Sequence, residues 1–116
     1  MSDTPAGRLS ASSVTSLHFE PNSATLTHRG EVTLRGLIMQ ARVNGFLYLE
    51  VAGYASPTEP PERHQALSDE RAQSVRSTLE QELRLGRNQV GCAGRGSASA
   101  TGDPEKDRRA VVTLFR

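Results

Sequence analysis

The chain has 116 residues, 14 of them basic and 13 acidic, for a formal net charge of +1. That length suits one domain able to bury about two-thirds of the surface its unfolded chain exposes, without disulfides or metal, and the even charge argues against a nucleic-acid or membrane-surface binder. One cysteine excludes an internal disulfide, no apolar run reaches the roughly 18 residues of a membrane span, and the first residues lack the apolar core of a secretory signal.

Residues 1–13 are rich in Ser, Thr, Gly and Pro and lack periodicity, which predicts a disordered or linker segment. The domain is then expected over 14–116. "VTSLHFE" (14–20) alternates, with Thr15, Leu17 and Phe19 on one face, and predicts a strand. After a loop with Pro21 and Asn22, a helix is expected over 28–43. Thr27 is its N-cap, Leu34, Leu37, Ile38 and Ala41 form its buried stripe, and Asn44 and Gly45 stop it. "FLYLEVAG" predicts a second strand, with Leu47, Leu49 and Val51 on one face. A second helix is expected from Ser68 as N-cap, stapled by Leu67 on Ala72, buried through Ala72, Val75, Leu79 and Leu83, and ended by Gly86. "NQVGCAGRG" gives a short third strand, "SASATGDPEKD" a polar loop and "RRAVVTLF" a terminal strand.

The order β-α-β-α-β-β predicts an α/β fold of two layers. Two helices cover one face of a mixed sheet, and the helical crossovers suggest that the first three strands are parallel neighbours.

Within "GYASPTEPPERHQALSDERAQSV" (53–75), this reading sets Arg71 in the first turn of the second helix. Unpaired amides there favour an anion, and a guanidinium beside them meets a carboxylate with two parallel hydrogen bonds. The plainer alternative pairs Arg71 with Glu70, Glu62 or Asp107, or lays it along the surface.

Four stretches in order, "LHFEPNSATLT", "LEVAGYAS", "ALSDERAQSVRSTL" and "DRRAVVTLF", resemble the OmpA-like domain. That is the peptidoglycan-binding module of outer-membrane porin tails, peptidoglycan-associated lipoprotein and flagellar stator proteins. The resemblance covers about residues 14–116. It implies a non-enzymatic module, without cofactor or metal, that binds the diaminopimelate of the peptidoglycan stem peptide. In the family an aspartate takes the ammonium, and an arginine fifteen residues later takes the carboxylate. Here the arginine is Arg71 and the aspartate position is Ser56. Tyr54 stands for the family's histidine, followed by Ala55; His64 stands for an asparagine, and Asp107, Arg108 and Arg109 for the Asn-Arg-Arg triplet. The implied ligand-binding set is Arg71, Ser56, His64, Arg108, Ala55 and Tyr54. The implied location is the periplasm, tethered by a segment outside this chain.

Ser56 departs from the pattern, since a hydroxyl accepts a hydrogen bond without neutralising an ammonium. Glu59 and Glu62 are each either a replacement carboxylate or a solvated loop charge. The departure motivates a second expectation: an OmpA-like fold that has left peptidoglycan and serves as a protein-interaction part of a secretion or pilus-type envelope assembly. Arg108 and Arg109 point to opposite faces of a strand, and the resemblance assigns Arg108 to the cleft. Cys92 reads as a buried, inert thiol. No nucleophile with a base, metal-ligand set or paired carboxylates suggests an enzyme.

Overall fold

A computed structural model describes residues 11–116. Its elements are β1 (Ala11–His18), α1 (His28–Asn44), β2 (Tyr48–Gly53), a 3-10 turn (Pro61–Arg63), α2 (His64–Leu83), a second 3-10 turn (Arg87–Gln89), β3 (Val90–Gly94), α3 (Pro104–Asp107) and β4 (Arg109–Phe115). They form one four-stranded mixed sheet, with α1 and α2 on one face.

The strand order is β1-β4-β2-β3. β4 runs antiparallel to both β1 and β2, whereas β2 and β3 are parallel from Leu49 opposite Val90 to Gly53 opposite Gly94. The expectation of three neighbouring parallel strands is thus corrected. β4 enters between β1 and β2, and only β2 and β3 are parallel neighbours. The loop carrying α3 lets the chain turn back and insert there.

The core lies between sheet and helices. Leu17, Leu49, Val51, Val90, Ala110, Val112 and Leu114 come from the strands; Leu34, Leu37, Ile38, Ala41, Ala72, Val75 and Leu79 come from the helices. Period-2 alternation on β2 and β4 and a helical stripe on each helix supply these positions. Leu47, expected to share a face with Leu49 and Val51, precedes β2 and is exposed.

The linker expected over 1–13 falls for residues 1–10 outside the described residues; Ala11–Ser13 belong to β1. These small residues suit the outer end of an edge strand, where Ser12 Oγ donates to the Leu114 carbonyl at 3.3 Å. Thr27 caps α1 by accepting from the Gly30 amide at 3.0 Å, and Gly45 ends it at a φ of 74°.

α2 begins four residues before Ser68. Pro60 and Pro61 set up the 3-10 turn, proline being suited to the first position of a helical turn, and the helix continues from it. Ser68 is therefore no N-cap. Its buried hydroxyl donates to the Gln65 carbonyl at 2.8 Å and accepts from the Gly96 amide at 2.9 Å, and Leu67 packs inside the core instead of stapling a helix start. The C-terminus is corrected as well: α2 ends at Leu83 with Arg84 as its left-handed cap, φ 53° and ψ 51°, ahead of Gly86.

α2 lies very close to the sheet. A Cβ on Gly53 would strike the Ser68 carbonyl and the Ala72 amide, and one on Gly94 would strike Asp69 and Ser68. The two glycines let the helix settle on the ends of β2 and β3, and this sets the depth of Arg71.

Candidate functional site

Arg71 is the eighth residue of α2, in its second turn, so the unpaired amides of the helix start do not surround it. Its side chain points inward and is 0% exposed. A guanidinium has five N–H donors, and all five are engaged within the domain. Nε donates to the Ser23 carbonyl at 2.8 Å, Nη1 to the Tyr54 carbonyl at 3.0 Å and Nη2 to the Glu20 carbonyl at 3.2 Å. The remaining two go to Glu59, Nη1 to Oε1 at 2.9 Å and Nη2 to Oε2 at 2.6 Å. This is the two-pronged pairing that suits an arginine and a carboxylate. The Phe19 ring lies under the guanidinium, 5.5 Å from its centroid.

Glu59, at 5% exposure, is itself bound from four directions. Besides Arg71, the Ser56 amide donates to Oε1 at 2.9 Å and the Asn22 amide to Oε2 at 2.7 Å. Burial alone would push this carboxyl up. The hydrogen bonds from Arg71, Ser56 and Asn22, with the Arg71 charge, outweigh it and hold the pKa at about 2, below its usual 4.5.

The loop after β2 is folded to place this acid. Ser56 opens a tight turn: its carbonyl accepts from the Glu59 amide at 3.0 Å, and its hydroxyl accepts from the Thr58 amide at 3.1 Å and bonds the Thr58 hydroxyl at 2.7 Å. His64 Nε2 lies 2.7 Å from the Glu59 carbonyl. Pro57, Pro60 and Pro61 stiffen the segment.

The residues expected to bind a ligand are thus brought together in part, and as a closed unit. Tyr54 contributes a backbone carbonyl to Arg71. Ala55 is buried, and its amide donates to the Gly96 carbonyl at 2.8 Å. Ser56 is 0% exposed and shapes the Glu59 turn. His64 braces that turn.

Arg108 lies apart. Its Nε donates to the Phe19 carbonyl at 3.4 Å, and it lines a surface cavity of about 380 Å³ with His18, Glu20, Arg29, Asp103 and Lys106. Burial, then the charges of Arg109 and Arg29, push the His18 imidazole below its ordinary value. Arg109 stacks over the Tyr54 ring at 4.1 Å and approaches the buried Asp107 at 3.8 Å. None of Glu70, Glu62 and Asp107 partners Arg71. Glu70 reaches Arg63 at 3.7 Å, and Asp107 accepts from the amide and hydroxyl of Thr101 at 2.6 and 2.8 Å.

The sequence alone presents Glu59 as a loop charge or a substitute acid. Its Ser-x-x-Glu spacing from Ser56, among prolines, is the local signal for the turn that aims it. The carbonyls of Glu20 and Ser23 and the ring of Phe19 carry no such signal. Among the described residues no group of three or more His, Cys, Asp and Glu is arranged to hold a metal. Cys92 packs against the core, and burial pushes its thiol up, against the effect of Arg76. No described helix is long and apolar enough to cross a membrane.

A model of the OmpA family matches residues 18–111. Several solved structures share the fold. The peptidoglycan-associated lipoprotein from Burkholderia pseudomallei is 17% identical, with a TM-score of 0.67 over 98% of this chain and 95% of that one. The OmpA-like domain of FopA1 from Francisella tularensis is 22% identical, with a TM-score of 0.71 over 88% and 71%. The cell wall anchor of the T6SS from Pseudomonas aeruginosa is 19% identical, with a TM-score of 0.70 over 95% and 89%. No curated protein matches the sequence.

Proposed function

The chain belongs to the OmpA family, and from that premise we propose that it is a non-enzymatic module of a periplasmic envelope assembly whose carboxylate seat is filled from within by Glu59. The reading rests on one observation: every N–H of Arg71 already has an acceptor inside the domain, two of them on Glu59. The resemblance implies that Arg71 takes the carboxylate of diaminopimelate, with Ser56, His64, Arg108, Tyr54 and Ala55 around it. Here an internal carboxylate holds that place. A stem peptide entering the seat has to expel Glu59 from four hydrogen bonds and leave it without its cation. Separating a buried ion pair costs about 3–5 kcal/mol, roughly a hundred- to several-thousand-fold in affinity. Ser56, at the aspartate position, adds no charge to hold an ammonium. The domain then serves its assembly through contacts with proteins.

Titration of isotope-labelled domain with a diaminopimelate-containing muropeptide tests this. The wild type is expected to show no amide shifts over residues 54–72 at millimolar ligand, and to stay in solution when purified cell wall is sedimented. A Ser56→Asp, Glu59→Gly variant, which opens the seat and restores the acid, is expected to shift those amides. Shifts in the wild type overturn the proposal.

A further inference from the structure

The outward face of α1 carries an apolar seam. Val32, Met39 and Val43 are 58%, 65% and 82% exposed. They lie on the side of the helix opposite Leu34, Leu37, Ile38 and Ala41, which face the core. With Gly36 they recur at intervals of four, three and four residues, the spacing of a seam between packed helices.

Gly36 is the second observation. It sits inside α1, where a Cβ would meet nothing within 4 Å. Alanine fits there and holds a helix better, so nothing among the described residues accounts for the glycine. A bare backbone at that point allows close approach from outside. The seam's flanks are unequal. Arg35 and Arg42 occupy one side, at the positions that face a partner's charges, and Thr33 and Gln40 occupy the other. Arg42 also reaches Glu82 at 3.2 Å, and both arginines are exposed.

We propose that the outer face of α1 docks an amphipathic helix of another protein whose own apolar seam is flanked by glutamate or aspartate. Charge selects this occupant over a second copy of the chain. Two copies of α1 packed antiparallel set Arg35 of one against Arg42 of the other. Packed parallel, they offer the arginines only Thr33 and Gln40. Arg35 forms no ion pair among the described residues, although Glu31 and Glu82 line a surface cavity with it. An acidic partner supplies it with a counter-charge, and a bulky seam residue fills the hollow over Gly36. The inference rests on the reading of the domain as an interaction module and names the class of partner. It shares no residue with the Arg71 seat.

The test uses the full chain and two designed helical peptides, alike in a leucine seam, one with glutamate beside the seam and one with lysine. The glutamate peptide is expected to shift the amides of residues 32–43 and to bind at least about tenfold more tightly than the lysine peptide. Gly36→Leu is expected to abolish that binding while the melting temperature holds or rises, because leucine favours the helix. Met39→Lys, at an exposed position, is expected to weaken it about tenfold with an unchanged melting temperature. Failure of both peptides to bind, equal binding of the two, shifts confined to other elements, or dimers in sedimentation that Met39→Lys dissolves each overturn the proposal. The muropeptide experiment reads residues 54–72 and this one reads α1, so each is able to fail without the other.

Discussion

Glu59 keeps its charge by virtue of four hydrogen bonds, two from Arg71 and one each from the amides of Ser56 and Asn22. Glu59→Gln preserves the shape and leaves the Arg71 cation buried without its counter-ion. The expected loss is about 3–5 kcal/mol, read as a lower urea midpoint. The pH dependence has a definite sign. The folded pKa, about 2, lies below the ordinary 4.5, so the stabilisation is full above about pH 4.5. It is lost as pH falls from there toward 2, where the folded carboxylate takes up its proton. Urea midpoints measured across that window should fall for the wild type, and Glu59→Gln should lack the part of the fall due to this group. Arg71 was legible in the sequence through the family pattern; the first-turn position expected for it is overturned, because α2 starts at His64. Its partner was not legible, because a residue twelve positions upstream reaches it only once Ser56 has turned the loop and α2 has docked. No periodicity encodes that closure.

Both long helices could be read from their stripes, which register burial directly: Leu34, Leu37, Ile38 and Ala41 on α1, and Ala72, Val75 and Leu79 on α2. The start of α2 could not. Ser68 has the chemistry of an N-cap, yet its hydroxyl serves the Gly96 amide across the domain, while the proline pair upstream starts the helical turn. Two substitutions test how α2 is seated. Gly53→Ala places a methyl against the backbone of Ser68 and Ala72. Neither can withdraw without moving the helix, so the expected cost is about 1–3 kcal/mol, seen as a lower melting temperature. Arg84→Gly acts the other way. Arg84 holds a left-handed conformation at the exposed end of α2, which costs a side-chain-bearing residue about 1–2 kcal/mol. Glycine is expected to recover about 1 kcal/mol there, a rise of roughly 4 °C in the midpoint of a thermal melt.

Across the molecule, the alternation of the strands revealed which faces are buried, but their order came from pairing at long range. β1 and β2 are separated by the first helical crossover, a pattern that suggests neighbours. In the sheet they are joined only through β4, which hydrogen-bonds to both. β4 contributes Ala110, Val112 and Leu114 to the core. Deleting residues 110–116 therefore removes a central layer and leaves β1 with no partner in the sheet. The shortened chain is expected to lose its cooperative thermal transition and its native circular dichroism. The insertion of β4 also has a consequence during synthesis. On the ribosome, the portion already made holds two strands whose common neighbour has yet to emerge. The nascent polypeptide stays open, and available to whatever escorts it, until β4 has emerged.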